Sequence, residues 1–222
     1  KSGRVSRLAG ITIISNLDKD GKPERENSGT GSSELVWHTD NSYVDNPPKG
    51  SVLNGIQVPI NGGGDTSFVN QYETYNALSE SMKKQLLKLH ILHDNSRNTA
   101  GGTRPTAKLP QTREDVEGPI HPMVRKHPDT GRNALYLGRR YASPSSYIVE
   151  LPEDESEALL DELWAHSTQE KFVWTQIWTP KDAIMWDNRC TMHTRNKIDH
   201  TQPREMHRSL IKGEPIIPAN EI

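Results

Sequence analysis

The apolar residues of this chain fall mostly in short alternating runs, and that spacing constrains the fold more than any other feature. Residues 5–15 (VSRLAGITIIS), 51–59 (SVLNGIQVP) and 171–178 (KFVWTQIW) alternate with the period of two that turns one face of a strand inward. In the last run Phe172, Trp174 and Trp178 fall on one side. Residues 182–186 and 206–212 read as further strands. LVWHTD, within residues 34–42, reads as a short strand with polar residues on one side. Residues 122–127 and 134–137 suggest a hairpin across a turn at 129–131. Helical spacing appears in only two places. Residues 74–92 line up Leu78, Met82, Leu86 and Leu89, with Ser79 as a helix-starting residue, and residues 153–166 line up Leu159, Leu160 and Leu163. A parallel α/β fold needs helices between most strands, which this chain lacks. The pattern predicts a mainly β fold with helical insertions, a sandwich or double-stranded β-helix (jelly roll).

Loops account for much of the rest. Residues 18–33 are rich in Gly, Asp, Ser and Asn, and residues 61–65 (NGGGD) make a tight turn. Residues 95–118 hold almost no large apolar side chain. So long a segment inside a compact domain is a candidate active-site lid. The 222 residues suit one domain, and a hydrophobic fraction of 32% implies long exposed loops around a modest core. A formal charge of −2 with no Lys/Arg run leaves no nucleic-acid footprint. No apolar stretch reaches membrane-span length, and no signal-peptide pattern is present. The lone cysteine, Cys190, excludes an intrachain disulfide and fits a reducing compartment. A soluble cytoplasmic protein, alone or as a homo-oligomer, is expected. The chain opens Lys-Ser-Gly without a Met, so further residues upstream are also expected.

The chemistry concentrates in a few positions. His38 and Asp40 sit two apart, so on a strand both point to one face and can reach one metal ion. His193 follows the strand at 182–186 and its turn WDNR. Two imidazoles and one carboxylate on one face leave coordination positions open, the facial triad of non-haem iron(II) oxygenases. Taken alone, an H-x-D pair is more often structural than metal-binding. His90 and His93 read as capping or surface groups at a helix end. His121, His127, His166 and His200 read as surface residues.

Further blocks raise the weight of this triad. WHTDNSY at 37–43, GGDTSFVN at 63–70, YNALSESMK behind it, HPMVRKHPDTGR at 121–132, LYL at 135–137, MWDNRCTMH at 185–193 and PREMHRSLIKG at 203–213 occur in this order. Together they resemble the taurine dioxygenase-like (TauD/TfdA) family of iron(II)- and 2-oxoglutarate-dependent dioxygenases over residues 35–215. The resemblance implies that His38, Asp40 and His193 hold Fe(2+), and that 2-oxoglutarate and O2 are co-substrates. Arg204, eleven residues after His193, matches the arginine on the distal carboxylate, and Thr66 the hydroxyl beside it. A guanidinium fork offers that carboxylate two parallel hydrogen bonds, which lysine cannot. Arg208 is implied to reach the C1 carboxylate or an anionic group of the substrate.

The implied reaction hydroxylates a C–H bond and releases succinate and CO2. Small organic anions, sulfonates or aryloxyalkanoates, are the implied substrates. Asn41, Ser42 and Tyr43 are expected to line their pocket, and Trp37 and Trp186, next to the ligand strands, to be core residues and walls behind the metal ligands rather than reactive groups. Asn188 and Arg189 are expected to brace the turn that presents His193. Arg139 and Arg140 are read as a solvated strand end that, with Tyr141, could add positive potential. Two rival readings stand. One is a jelly-roll metalloenzyme without 2-oxoglutarate, such as a cupin-type isomerase or a hydrolase. It has no need of the Arg204–Thr66 pair. The other is a binding protein on the same scaffold.

Overall fold

Strands dominate the computed structural model, which describes residues 4–5, 9–23, 35–60 and 62–220. Most of the loop expected at 18–33, and Asn61 of the turn, lie outside these residues. In chain order the first elements are β1 (Arg4–Val5), β2 (Ile11–Ser15), β3 (Leu35–His38), β4 (Gly50–Gln57), β5 (Thr66–Asn70), α1 (Gln71–Asn76), α2 (Glu80–Leu86) and β6 (His90–Leu92). Then come β7 (Ile120–Pro122), β8 (Val124–Lys126), β9 (Asn133–Leu135), β10 (Tyr147–Ile148) and α3 (Glu153–Ser167). The last are β11 (Val173–Gln176), β12 (Ala183–Asp187), β13 (Thr191–Arg195), β14 (Glu205–Ile211) and β15 (Ile217–Pro218). The fold is thus mainly β with few helices.

Two antiparallel sheets carry the architecture. One runs β1-β2-β14-β4-β12 and the other β11-β5-β13-β3. Two smaller sheets run β10-β6-β7 and β15-β8-β9; in the latter, β8 and β9 form the expected hairpin. The period of two divides the four-stranded sheet between two environments. Cross-strand partners Phe68 and His193 face the five-stranded sheet, where Phe68 joins Leu53, Trp186 and Met206 in one apolar cluster. Their chain neighbours Val69 and Met192, also partners, face the other way. There they meet Leu159, Leu160 and Leu163 of α3. A fully buried side chain such as Met192 contributes about 2–5 kcal/mol against truncation to Ala.

Local chemistry breaks the helix expected over 74–92. Asn70 caps α1 by accepting from the amides of Tyr72 and Glu73, and Ser79 caps α2 by accepting from Met82. The last three residues pair as β6 with β7 and β10. The apolar stripe survives the break, because Leu86 and Leu89 are buried and Leu78 and Met82 pack against the same core. Trp174 also departs from expectation. It is 54% exposed, stacking on its cross-strand partner Phe68 near the sheet edge, while Trp178 is buried. Among the described residues, no helix is long and apolar enough to cross a membrane.

Candidate active site

His38 ends β3, His193 lies at the middle of β13, and the two are direct cross-strand partners with ring centroids 4.1 Å apart. Different forces orient the two rings. His38 Nδ1 donates to the Val36 carbonyl at 2.8 Å, which leaves Nε2 bare toward the cavity. His193 is held by packing, between Phe68 at 5.9 Å and Trp186 at 4.8 Å. Burial pushes the His193 imidazolium down to about 3, and His38 and Arg208 add to this, so the ring is neutral near pH 7.

Asp40 lies in the turn after β3, clamped by Asn188. The Asn188 side chain accepts from the Asp40 amide and donates to the Asp40 and Pro48 carbonyls, all at 2.9 Å. Asn188 was expected to brace the turn carrying His193; its amide instead fixes the opposite ligand. Ser51 Oγ donates to Asp40 Oδ2 at 2.7 Å, and Arg208 Nη1 donates to Oδ1 at 3.2 Å. Burial alone would raise this carboxyl. The Arg208 guanidinium and the two imidazoles outweigh it and hold the group well below the usual carboxylate range.

Oδ1 of Asp40 stands 3.7 Å from His38 Nε2 and 3.9 Å from His193 Nε2. Divalent ions bond such atoms at about 2.1 Å, so donors closer than about 4.2 Å can share one. Two imidazoles and one carboxylate, all buried, fit that role.

A cavity of about 250 Å³ opens from the triad between the two large sheets. In one direction lie Thr66 and Arg195, cross-strand partners, with Arg204 above them; all are at most 3% exposed. Thr66 Oγ1 accepts from the Trp178 indole at 3.0 Å. Arg204 Nη2 donates to the Gly64 carbonyl at 3.0 Å, while its buried Nε meets no acceptor among the described residues. Burial, then Arg195, pushes the Arg204 guanidinium down to about 9; burial alone takes Arg195 to about 10. Two buried cations and a hydroxyl in one corner favour an anion. Sequence reasoning missed Arg195. The available signal was its spacing, two residues past His193 on one strand and so on the same face.

On the other side the cavity is lined by Asn41, Tyr43, Asn98, Thr99, Arg104 and Arg139. Asn41 adopts a left-handed φ of 50° that Asn tolerates, and it accepts from the Tyr43 hydroxyl at 2.8 Å. Ser42 is buried behind them. Arg139 is no solvated strand end. It is 5% exposed, and its backbone bridges to His38. Arg140 turns outward to Glu157 and Asp161. Trp186 walls the cavity and Trp37 packs into the helical core, both as expected.

Several histidines also depart from expectation. His93, His121 and His127 are buried, His93 against His121 and Tyr136. His90 belongs to β6, where it keeps a partly exposed surface position and pairs with Glu150; His166 faces the Thr74 carbonyl, and His200 is exposed as expected. His127, Asp187 and Cys190 form a second triad of metal-binding residue types. Nδ1 of His127 accepts from the Asp129 and Thr130 amides, so Nε2 carries the proton that binds Asp187. Arg189 joins Asp187, Asp129 and Glu214. A guanidinium already neutralises these carboxylates, so the cluster is a clamp on the β12–β13 turn.

Known proteins resemble this chain in sequence and in fold. The chain matches the taurine catabolism dioxygenase TauD, TfdA family over residues 5–210. It is 34% identical to the alpha-ketoglutarate-dependent 2,4-dichlorophenoxyacetate dioxygenase of Burkholderia sp. (strain RASC), over 93% of this chain and 69% of that protein. It is 32% identical to an alpha-ketoglutarate-dependent sulfonate dioxygenase of Saccharomyces cerevisiae, over 84% of this chain and 43% of that one. The crystal structure of AAD-2 in complex with Mn(II) and N-oxalylglycine superposes with a TM-score of 0.76 at 31% identity, covering 97% of this chain and 77% of that one. With a family match across nearly its whole length and relatives this similar, the chain belongs to the TauD, TfdA dioxygenase family.

Proposed function

We propose that this protein is an iron(II)- and 2-oxoglutarate-dependent dioxygenase that hydroxylates a small organic anion, a sulfonate, aryloxyalkanoate or similar acid. The observation that carries the reading is the joining of two sites in one cavity. The His38–Asp40–His193 triad and the buried Thr66–Arg195–Arg204 corner open onto the same space. The rival metalloenzyme without 2-oxoglutarate leaves that cationic corner unexplained. The two large sheets and their shared interior are those of a jelly roll. Residues 95–118 act as a lid over one domain, and their Asn98, Thr99 and Arg104 reach the cavity.

When bound, iron(II) with O2 supplies the oxidation, converting a substrate C–H to C–OH as 2-oxoglutarate becomes succinate and CO2. His38, Asp40 and His193 hold the metal. Arg204 and Thr66 fix the distal carboxylate of 2-oxoglutarate, a charge-assisted fork that sets its orientation. Arg208 lies between Asp40 and the cavity. It is placed to meet the C1 carboxylate or the substrate's anionic group. Asn41 and Tyr43 border the substrate. Phe68 and Trp186 exclude water from the side of His193.

The test is direct. Anaerobic addition of iron(II) and then 2-oxoglutarate should produce a visible metal-to-ligand charge-transfer band, and air with a substrate panel should yield succinate. Arg204→Ala should weaken 2-oxoglutarate binding by roughly a hundredfold. A protein that shows no band and makes no succinate is not this enzyme.

A further inference from the structure

Resting on that reading, we infer that Arg104 and Arg139, mounted on Tyr43, form the subsite for the substrate's anionic group. These residues belong to an alternating ladder of guanidiniums and rings. Arg104 lies over the Tyr43 ring at 3.6 Å and Arg139 lies 5.6 Å from the same ring. Arg139 and Arg97 then approach Tyr141 at 5.5 and 5.6 Å. Such contacts position a cation without neutralising it.

The ladder is short of negative charge. Asp94 is the carboxylate that meets it, 3.5 Å from Arg97 and already bound by the Ser96 amide and Ser145 Oγ. Arg139 Nη2 donates to the Asp94 backbone carbonyl at 2.8 Å, which carries no full charge. Arg104 Nε donates to the Arg97 carbonyl at 3.0 Å, and neither of its Nη groups meets an acceptor among the described residues. Among those residues no carboxylate forms an ion pair with Arg104 or Arg139, though Arg139 is 5% exposed and both line the cavity. A cation this buried needs a counter-charge.

Topology separates this pole from the co-substrate corner. Across the sheet the order is Arg139, His38, His193, Phe68. Thr66 on β5 and Arg195 on β13 lie two residues along their strands from Phe68 and His193. The triad therefore stands between two cationic poles, each suited to one oxyanion. Two guanidinium forks suit a carboxylate or a sulfonate on a compact body, since about 250 Å³ is at the small end of ligand cavities. Because Arg104 comes from the 95–118 segment, anion binding also ties that segment to β3, to which Thr99 is already joined through the Val36 amide.

Titration calorimetry on the manganese-loaded protein saturated with 2-oxoglutarate tests this without turnover. The probes are phenoxyacetate, butanesulfonate and the neutral phenoxyacetamide. Wild type should bind at least one anion and prefer it to the amide, and the preferred anion identifies carboxylate or sulfonate as the group recognised. Arg104→Gln should weaken that binding by roughly ten- to a hundredfold, with Arg104→Lys intermediate. Affinity for 2-oxoglutarate should be the same in wild type and Arg104→Gln. Equal anion binding by Arg104→Gln, or a wild type that binds neither anion or fails to distinguish anion from amide, overturns the inference. A wild type that takes up no 2-oxoglutarate overturns the proposed function instead. Arg139→Lys provides a second variant with the charge retained but the fork lost.

Discussion

Single atoms decide how the candidate co-substrate corner is built, and Thr66 shows it best. Its hydroxyl already accepts the Trp178 indole proton, so its own proton is left for an incoming carboxylate. Thr66→Ala should therefore do two things. It should leave a buried indole N–H unpaired, lowering stability by about 1–3 kcal/mol in urea denaturation, and it should raise the KM for 2-oxoglutarate. Thr66→Ser should restore both; a serine variant as impaired as alanine would show that the methyl, not the hydroxyl, matters. Arg195 teaches a related lesson. In the sequence it is one more arginine, and only its position two residues past His193 distinguishes it. Its burial depends on β5, whose Thr66 pairs with it from more than 120 residues away in the chain, as well as on Arg204 nearby.

Turns, more than strands, hold the site in register. Gly64 has a left-handed φ of 73°, and a Cβ there would meet Arg204 Nε at 2.8 Å and Cδ at 3.0 Å. Those atoms belong to a buried side chain that cannot move aside cheaply. Gly64→Ala should thus weaken 2-oxoglutarate binding by about tenfold or more while leaving manganese(II) affinity unchanged by titration. The β12–β13 turn relies on Asp187, held between His127 and Arg189. Burial opposes ionisation of this carboxyl, but the hydrogen bonds from Arg189 and His127 prevail and bring it from 3.8 to about 2. A depressed acid stabilises the fold fully above pH 3.8, and the contribution fades as pH falls through about 2. Asp187→Asn should cost about 1–2 kcal/mol near pH 7, since the group is half-exposed. The difference from wild type should shrink between those two pH values in acid-unfolding curves. The helix expected over 74–92 failed at this same scale. Periodicity reports which residues face the core, and the stripe did, but Ser79 restarts the helix and 90–92 pair as a strand.

The whole molecule carries a formal charge of −2, yet its central cavity is lined by Arg104, Arg139, Arg195, Arg204 and Arg208. Anionic ligands suit this lining, and their binding should stabilise the fold. Manganese(II) with 2-oxoglutarate, each at about a hundred times its Kd, should raise the melting temperature by roughly 5–10 °C in differential scanning fluorimetry. The 2-oxoglutarate increment should depend on the metal, and Asp40→Asn should abolish both. A rise with 2-oxoglutarate alone, equal to the rise with metal, would separate the two sites.

By itself the sequence determined the mainly β character, the α3 face, the β8–β9 hairpin and the His38–Asp40 pair of the candidate metal triad. Each of these depends on spacing of two, three or four residues, which sequence displays directly. It also marked Thr66 and Arg204, through blocks whose order resembles a known family. Only the tertiary structure decided that Asn188 holds Asp40, that Arg195 shares the buried corner and that Arg139 faces the cavity. It also decided that His93, His121 and His127 are interior residues. The physical reason is common to all of them. Burial and hydrogen bonding at these positions come from partners tens of residues away, so no local pattern records them. His38 and Asp40 are two residues apart, but what makes them a site is a strand that arrives more than 150 residues later.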